Sequence, residues 1–396
     1  MRIVFTGGGS GGHIFPLIAV VREIKELYLQ KKLVESKNVF GEQIPEDKQI
    51  KEELGLYYIG PRDDFSLILL SQEGVKTSEI LAGKLRRYLD WQSLLENCVD
   101  IVFKTPAGII QSFFKLFFLA PDLIFSKGGY GSFPVVLAGW FLRIPIFIHE
   151  SDIDPGLTNS LLARFAKKIF VSFEKTERFP PRKMILMGNP LRKEILTGTL
   201  EEAAELFRLT GEKPVILILG GSQGAQRVND LILAILPNLL GQFELLHQTG
   251  EKNFAKVRAE AEVTIPKGLE KYYHPFPFFR EEEIKQAYAA ANLVIARAGA
   301  GLIFEIAAVG KPSILIPLPE AAQGHQVKNA YAFAAKGAAV VLEEENMTPN
   351  FFWEKLNYLF TRPMELEKMR QATALLARPT AARQVAEYLF NYLKEW

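Results

Sequence analysis

Glycine turns placed directly after short apolar strands are the features of this sequence best suited to chemistry. The first turn, Gly7–Gly12, follows the strand-like run Arg2–Thr6, and a second, Gly220–Gly224, follows the apolar run Val215–Leu219. Glycines let backbone N–H groups approach a phosphate closely, and a helix that begins after them adds the positive end of its dipole. The sequence therefore predicts two phosphate-receiving turns, one in each half of the chain.

A histidine and a set of carboxylates stand beside the first turn. His13 closes the turn at the start of an expected helix, whose positive end favours a neutral ring that can accept a proton. Glu150 ends a strand-like run and is a candidate partner for His13, with Asp152 and Asp154 just after it. At least one of these carboxylates is expected only to cap a helix or to bond a loop.

A third glycine turn, Arg297–Gly301, precedes a helix that carries Glu305 one turn inside it. A carboxylate at that position could accept hydrogen bonds from both hydroxyls of a ribose. Gln326 and Asn329 lie three residues apart and share a helix face, and amide side chains suit sugar hydroxyls because they both donate and accept.

The sequence offers little for a metal or a dinucleotide. There is no Asp-x-Asp pair where a metal–diphosphate site would need one, so we expect no metal, and backbone dipoles and arginine are expected to handle leaving-group charge. Gly7, Gly9 and Gly12 meet the dinucleotide pattern, but no strand precedes an acidic residue about 20 residues later. A dehydrogenase would also lack the second phosphate turn.

Length and composition bound the remaining possibilities. A chain of 396 residues with 48% hydrophobic and 23% charged residues is expected to form two globular domains. A formal net charge of +2 gives no reason to expect a nucleic-acid partner. The single cysteine, Cys98, excludes an intramolecular disulfide and a cysteine metal cage.

Strand-like and helix-like runs alternate and then begin again, which predicts two parallel α/β domains in tandem. We place the boundary before Gly188-Asn189-Pro190, giving an N-terminal domain of 1–187 and a C-terminal domain of 188–378. Residues 379–396 form a separate amphipathic segment, predicted to be a helix that packs back on the N-terminal domain. Lys31–Gly55 is charged and aperiodic, and we interpret it as a surface excursion without assigned function.

Two observations concern membranes. Neither a signal peptide nor a transmembrane helix is expected, because the most apolar stretch, Ile109–Phe125, is interrupted by polar residues and a proline. Basic residues do stand beside aromatic ones, an arrangement that favours either an anionic lipid surface or, if the rings are buried, a domain core. These residues are Lys84, Arg86, Arg87, Trp91, Lys104, Phe113, Phe114, Lys115, Phe117 and Phe118.

Taken together, the motifs resemble those of the MurG family of glycosyltransferases. The ordered set that carries the resemblance is Gly8-Gly9-Ser10-Gly11-Gly12-His13, Lys127-Gly128-Gly129-Tyr130, His149-Glu150, Gly156-Leu157-Thr158-Asn159, Gly188-Asn189-Pro190, Gly220-Gly221-Ser222-Gln223-Gly224, Arg297 to Glu305, and His325-Gln326 with Asn329. The resemblance implies a GT-B fold, in which two Rossmann-like domains with parallel sheets face a central cleft. It also implies an inverting transfer of GlcNAc from UDP-GlcNAc to the 4-hydroxyl of MurNAc in undecaprenyl-pyrophosphoryl-MurNAc-pentapeptide (lipid I), giving lipid II.

Site roles follow from the same resemblance. His13 becomes the candidate base beside the acceptor hydroxyl, with Glu150 as its catalytic partner. The acceptor and its diphosphate would be held by Ser10, Gly11, Gly12, Tyr130 and Asp152. The donor would be held by Arg192, Ser222, Gln223, Phe279, Ala300, Gly301, Glu305, Gln326 and Asn329, with the uracil near Phe279. Ser151-Asp152 departs from the family, which often has Gln-Asn there.

The resemblance further implies a peripheral protein on the cytoplasmic face of the cell membrane, with no cofactor and an anionic membrane surface as a partner. Two alternatives stay open at this stage. One is another GT-B enzyme, either a UDP-GlcNAc 2-epimerase or a different lipid glycosyltransferase. The other is a non-catalytic UDP-sugar-binding subunit, which would keep Glu305 but could dispense with His13.

Overall fold

The computed structural model describes residues 1–8, 11–38, 53–84, 86, 91–221, 224–319 and 324–394, with side chains except at 34–38 and 92. The chain divides into two compact units. Unit 1 comprises Met1–Arg192 together with Thr380–Trp396, and unit 2 comprises Lys193–Pro379. The chain passes from unit 1 to unit 2 after Arg192, five residues beyond the boundary that we placed before the Gly188-Asn189-Pro190 motif.

In the described part of the chain, unit 1 is built on a seven-stranded parallel sheet of strand order β3-β2-β1-β4-β5-β6-β7. Its strands are β1 (Arg2–Thr6), β2 (Gly55–Gly60), β3 (Lys76–Glu79), β4 (Leu123–Ser126), β5 (Ile146–Glu150), β6 (Lys168–Val171) and β7 (Met184–Leu186). The central strands β1, β4 and β5 are buried along almost their whole length, as expected for strands covered on both faces.

Six helices flank this sheet before the chain crosses to unit 2, counted over the described residues. They are α1 (Gly11–Asn38), α2 (Asp64–Gln72), α3 (Trp91–Val99), α4 (Thr105–Leu119), α5 (Ser132–Phe141) and α6 (Leu157–Leu162). Helix α1 continues through Asn38, so the first part of the stretch Lys31–Gly55 is helical rather than an irregular excursion. Residues 39–52 lie outside the described part of the chain.

One apolar helix is longer than the sequence pattern indicated. A π-helical turn, Asp100–Lys104, joins α3 to α4 without a break, and the run ends at Leu119, before Pro121. Among the described residues, its segment Ser93–Leu119 is the one helix long and apolar enough, by length and composition, to cross a membrane. The apolar helix therefore begins well before Ile109 and ends before Phe125, the two limits of the apolar stretch that the sequence indicated.

Packing shows how this apolar helix is held in unit 1. Gly108, Ser112 and Leu116 form its buried face, and a Cβ at Gly108 would lie 1.8 Å from the carbonyl oxygen of Leu81. Lys115 also donates a 2.6 Å hydrogen bond to Ser78 Oγ. The helix is thus docked along one side against unit 1.

The opposite side of the apolar helix is exposed. Its exposed apolar residues, which we call the apolar strip, are Trp91, Leu94, Leu95, Val99, Ile101, Val102, Phe103, Ile110, Phe114, Phe117 and Phe118. Among the phenylalanines of this helix, Phe113 packs against the core, whereas the others are exposed. A single helix that exposes this many large apolar side chains is unusual on a soluble monomer and marks an interaction site.

The last helix of the chain, α16 (Ala381–Lys394), belongs to unit 1. Val385 and Leu389 are fully buried in the unit 1 core, and the ring of Tyr388 packs edge-on to Phe147 and Phe170. Its i, i+3, i+4 apolar face therefore covers one side of the sheet, as the periodicity predicts.

Unit 2 contains, among the described residues, a six-stranded parallel sheet of order β10-β9-β8-β11-β12-β13. Its strands are β8 (Val215–Leu219), β9 (Glu244–Gln248), β10 (Tyr273–Phe276), β11 (Leu293–Ala296), β12 (Ser313–Leu315) and β13 (Ala339–Val341). Its helices are α7 (Leu200–Phe207), α8 (Gln226–Ala234), α9 (Leu236–Gln242), α10 (Glu251–Thr264), α11 (Glu281–Ala290), α12 (Ala300–Ala308), α13 (His325–Ala334), α14 (Pro349–Phe360) and α15 (Pro363–Leu376). The predicted tandem of two parallel α/β domains is confirmed.

Candidate functional site

The first candidate site lies at the carboxyl ends of β1 and β4 in unit 1. Thr6 and Ser126 are paired in register at the ends of these strands, so the turns that follow them lie side by side. The ring of His13 is packed against both turns. A Cβ built on Gly8 would lie 3.2 Å from His13 Nδ1, and one on Gly129 would lie 3.1 Å from His13 Nε2. Only glycines leave room for the ring there.

His13 sits in the first turn of α1 and is half-buried. Burial and, to a lesser extent, the nearby Lys127 ammonium lower the pKa of His13 to about 4. The ring is therefore neutral at pH 7, which is the state that can accept a proton.

Lys127 follows β4 and is the buried cation of this site, with 3% of its surface exposed. Its backbone N–H donates 2.9 Å to Thr6 O, and its Nζ donates to Ser151 Oγ. Ser151 in turn donates 2.9 Å to Asn189 Oδ1. A chain of hydrogen bonds therefore joins the segments that follow β4, β5 and β7.

Glu150, the last residue of β5, is buried and its carboxylate is occupied by the loop that follows. Oε1 accepts from the Asp152 backbone N–H at 3.0 Å. Oε2 accepts from the Gly156 N–H at 3.1 Å and from Asn159 Nδ2 at 2.9 Å. Burial and the neighbouring Asp152 raise the pKa of Glu150, whereas these bonds and Lys127 act in the opposite direction. The carboxylate thus organises the 151–156 loop.

The other acceptor-side candidates lie around the same strand ends. Gly11 and Gly12 form the first residues of α1, with Gly12 exposed. Tyr130 is half-buried in the turn before α5, and burial raises the pKa of its phenol. Asp152 begins the loop held by Glu150. Ser10 lies outside the described residues.

The second candidate site lies at the carboxyl ends of the unit 2 strands. Helix α12 begins at Ala300 after Gly299, which places Ala300 and Gly301 in its first turn. Glu305 stands one turn further on and is half-buried, and Tyr288 donates a 3.0 Å hydrogen bond to its Oε2. The carboxylate is therefore oriented from within the unit.

Helix α13 contributes two amide side chains at the same edge of the sheet. Gln326 Oε1 accepts a 3.0 Å bond from the backbone N–H of Leu318, just after β12. Asn329 is fully buried and its Nδ2 lies 3.4 Å from Ala298 O, at the end of β11. Both amides thus connect α13 to the loops at the strand ends, and Gln326 remains half-buried.

The second glycine turn also lies at this edge. Gly221 and Gly224 have φ of +84° and +76°, and Gln248 Nε2 donates a 3.0 Å bond to Gly221 O. Gln248 Oε1 accepts from the backbone N–H of Phe279 at 3.1 Å, so this side chain ties the turn to the segment after β10. Ser222 and Gln223, expected to meet the donor, lie outside the described residues.

Two expected donor residues have surroundings that the sequence did not indicate. The ring of Phe279 is buried against Phe207 and Phe276, so its faces are covered by the unit 2 core. Arg192 belongs to unit 1, where its guanidinium lies 4.2 Å from the centre of the Phe15 ring on α1. Arg297 is nearly buried and pairs with Glu344.

Within the described residues there is no group of three or more His, Cys, Asp or Glu side chains arranged to hold a metal ion. Lys127, Ser151 and Asn189 were not assigned roles from the sequence. Lys127 and Asn189 belong to the motifs Lys127-Gly128-Gly129-Tyr130 and Gly188-Asn189-Pro190. The sequence feature that could have pointed to Lys127 is its position between an apolar strand and two glycines. Gln248 and Tyr288 gave no sequence signal, because each acts through a contact between distant segments.

Comparisons with known proteins agree with this architecture. The N-terminal domain of glycosyltransferase family 28 matches residues 3–171, and its C-terminal domain matches residues 215–385. The UDP-N-acetylglucosamine–N-acetylmuramyl-(pentapeptide) pyrophosphoryl-undecaprenol N-acetylglucosamine transferase 2 of Bacillus thuringiensis subsp. konkukian (strain 97-27) is 36% identical over 396 residues, covering 100% of this chain and 99% of that protein.

Among solved structures, MurG of Acinetobacter baumannii aligns with a TM-score of 0.67 at 25% identity, covering 99% of this chain and 100% of the other. UDP-GlcNAc 2-epimerase of Neisseria meningitidis, bound to UDP-GlcNAc, aligns with a TM-score of 0.64 at 16% identity, covering 99% and 100% of the two chains. The epimerase shares the fold, whereas the full-length sequence relationship is to the transferases. The chain therefore belongs to the MurG family of GT-B glycosyltransferases, within glycosyltransferase family 28.

Proposed function

We propose that this chain transfers N-acetylglucosamine from UDP-GlcNAc to the 4-hydroxyl of MurNAc in lipid I, with inversion at the anomeric carbon, giving lipid II. The observation that carries the proposal is the 36% identity over the full length of both chains to a transferase named for these two substrates. Relatives of this kind are hexosyltransferases, and the chain carries both of the domains that define their family.

In this proposal unit 1 receives the acceptor. The amides of Gly11 and Gly12 at the start of α1, with Ser10, bind its diphosphate, since a helix N-terminus favours an anion. Tyr130 and Asp152 line the same strand ends. His13 takes the proton of the attacking hydroxyl, and its packing between two glycine turns fixes the ring in place.

A pKa of about 4 makes His13 a weak base in the empty protein. A bound diphosphate places negative charge near the ring, and opposite charge within a few ångströms stabilises the imidazolium. The basicity of His13 therefore rises when the acceptor binds. Glu150 supports the site as a catalytic partner by accepting two backbone hydrogen bonds from the 151–156 loop and one from Asn159 on α6, rather than by direct proton transfer.

Unit 2 receives the donor. Glu305, oriented by Tyr288, accepts hydrogen bonds from the ribose hydroxyls. Gln326 and Asn329 meet the GlcNAc hydroxyls, and the uracil pairs with backbone groups near Phe279. Ser222, Gln223 and the first turn of α12, with Ala300 and Gly301, complete the diphosphate and sugar contacts. No metal or other cofactor is assigned to the transfer step.

The apolar strip supports a peripheral location on the cytoplasmic face of the cell membrane, with an anionic lipid surface as a partner. The apolar helix is docked on unit 1 through its buried face, as an interfacial helix would be, and presents aromatic rings outward. Two nearby cations are already paired, since Arg86 and Lys104 both bind Asp100. Apolar burial is therefore proposed as the larger contribution to membrane binding.

One incubation tests the proposed reaction. The protein is supplied with UDP-GlcNAc, with and without lipid I, and UDP and lipid products are quantified. Release of UDP only with lipid I, with formation of a β-linked disaccharide, is the expected result. An epimerised UDP-sugar without acceptor, or tight binding of UDP-GlcNAc without turnover, would overturn the proposal.

Substitution of the proposed base refines that test. His13→Ala should lower kcat by about 10²- to 10⁴-fold, the usual contribution of a positioned general base. The KM for UDP-GlcNAc should change little, because the donor is assigned to unit 2. An unchanged kcat would remove His13 as the base.

A further inference from the structure

The acceptor-side strand ends contain a buried cation that the proposed reaction has not used. Lys127 is 3% exposed, although lysines are almost never buried without a charged partner. Its backbone is fixed to β1 by the bond to Thr6 O, and its ammonium donates to Ser151. Both observations indicate a side chain held in one place rather than a surface lysine that folded inward.

Lys127 and His13 lie on either side of the same glycine. A Cβ on Gly7 would lie 3.6 Å from the Cβ of His13 and 3.6 Å from the Cβ of Lys127. The ammonium stands close enough to the imidazole to contribute to its lowered pKa. Lys127 is thus a fixed positive charge beside the proposed base.

The same ammonium faces two carboxylates. Glu150 and Asp152 both favour the charged form of Lys127, against a burial cost that lowers its pKa to about 8. The ammonium reciprocally favours the ionised form of Glu150. An ionised Glu150 is the form that accepts two backbone N–H bonds from the 151–156 loop and one from Asn159 on α6, because a protonated oxygen loses acceptor capacity.

Two further groups continue the hydrogen bonds that begin at Lys127. Ser151, just after β5, is the direct acceptor for the ammonium. Asn189, the next group in the chain of bonds, is 1% exposed and fixed by Ser151 at 2.9 Å. One ammonium, one hydroxyl and one amide therefore join three strand ends.

We propose that Lys127 is a positioning residue for the transfer reaction: through Ser151 and Asn189 it joins the ends of β4, β5 and β7, and its ammonium is a fixed positive charge beside His13 and Glu150. This inference rests on the proposed function for its catalytic consequence. The effect of Lys127 on the pKa of His13 can be measured without any turnover.

The groups that face His13 and Lys127 determine how the protein responds to pH. Besides these two, the titratable side chains around the site are Glu150, Asp152 and His149, with Tyr58 and Tyr130 near the first glycine turn. Burial lowers the pKa of His149 well below its ordinary value, and burial raises the pKa of both tyrosines. Lys127 therefore acts in the same direction on both histidines of the site, lowering the pKa of His13 and of His149.

The deciding experiment is an NMR titration of histidine ring signals in the full-length protein, which has five histidines. In Lys127→Met the pKa of His13 should rise by about 1 or more, the usual effect of removing a like charge a few ångströms away. Lys127→Arg should keep the low value. The pKa of His247 in unit 2, lowered to about 3 by burial alone, should not move.

Kinetics supply the second readout. Because His13 must be neutral to accept a proton, the acid limb of kcat/KM for lipid I should move to higher pH by the same amount in Lys127→Met. Lys183→Met is the matched control. Lys183 lies just before β7, the edge strand of the sheet, and donates a 2.8 Å hydrogen bond to the carbonyl oxygen of Arg164. That variant should leave the acid limb unchanged.

Ser151→Ala distinguishes the effect of the Lys127 charge from the effect of its hydrogen bond to Ser151. It keeps the ammonium, so the pKa of His13 should stay low, whereas kcat/KM should fall by about tenfold from the lost hydrogen bond to a charged group.

If Lys127→Met does not fold, Lys127→Gln removes the charge and retains a donor for Ser151. An unmoved His13 pKa in a folded, neutral Lys127 variant overturns the inference, even if the wild type makes lipid II. A shifted pKa in a protein that makes no lipid II refutes the proposed function alone.

Discussion

Replacing Phe117 and Phe118 by serine tests whether the apolar strip binds lipid. These two side chains are 59% and 80% exposed at the C-terminal end of the apolar helix, so their removal disturbs little of the unit 1 core. Fully burying a phenylalanine is worth about 1.5–3 kcal/mol. Burying the exposed fractions in an interface is then worth about 1–2 kcal/mol each.

The double variant should therefore bind vesicles about 30-fold more weakly, taking the lower figure of about 1 kcal/mol for each ring and tenfold for each 1.4 kcal/mol. The assay is sedimentation of the protein with vesicles of neutral lipid containing a stated fraction of anionic lipid, with the partition coefficient fitted over lipid concentration. Phe351→Ser is the matched control, because Phe351 is an exposed phenylalanine on α14 of unit 2.

Charge is measured in the same assay. A Lys or Arg near an anionic surface contributes about 1 kcal/mol, and salt screens that contribution. Lys104 and Arg86 are paired with Asp100, so raising the salt concentration should reduce binding less than the double substitution does. Equal partitioning of wild type and double variant, or an equal loss in Phe351→Ser, would refute the assignment of the apolar strip to lipid.

Three further predictions concern the two sites and the core. Gly129→Ala should abolish most transferase activity and destabilise the protein by about 1–3 kcal/mol, because Gly129 has φ of +81° and a Cβ would lie 2.8 Å from the Gly8 backbone; activity and chemical denaturation are measured together. Glu305→Ala should raise the KM for UDP-GlcNAc by about tenfold or more with kcat nearly retained, and a fall in kcat alone in steady-state kinetics would contradict a ribose contact. Leu389→Ala, at a fully buried position of α16, should lower the free energy of unfolding by about 2–5 kcal/mol in urea titration, whereas exposed Leu375→Ala should cost much less.

The central strands and their turns could be predicted because their signal is local. β1, β4, β8 and β11 coincide with the apolar runs that precede glycine, since buried parallel strands are continuously apolar and end abruptly. Edge strands were not found this way. β3 has the sequence Lys-Thr-Ser-Glu, and only its pairing with β2 makes it a strand.

Helix continuity was the least predictable feature of the fold. Gly108 and Lys115 suggest interruptions in the apolar helix, yet each is explained by packing: Gly108 admits the backbone of Leu81, and Lys115 reaches Ser78. The π-helical turn at Asp100–Lys104 also has a contact from outside the helix, because the buried Asp100 pairs with Arg86, 14 residues earlier, as well as with Lys104 in the turn itself.

The residues of the candidate sites also differ in whether their signal is local in the sequence or depends on long-range contacts. His13 and Glu305 stood out because a chemically able side chain sits at a fixed offset from a glycine turn. Lys127 did not, because its significance lies in Ser151 and Asn189, 24 and 62 residues away along the chain, and only the parallel sheet brings them together. Tyr288, which orients Glu305, is a long-range partner of the same kind.

The placement of α16 has a consequence for biosynthesis. Unit 2 is one contiguous segment, Lys193–Pro379, and is complete before the ribosome reaches the last helix. Unit 1 begins first, but its aromatic residues Phe147 and Phe170 are covered only once α16 has been made, so its sheet stays partly uncovered until then. The first half of the protein to emerge is thus the last to finish folding, and a nascent chain that stops short of α16 presents aromatic surface to chaperones and proteases.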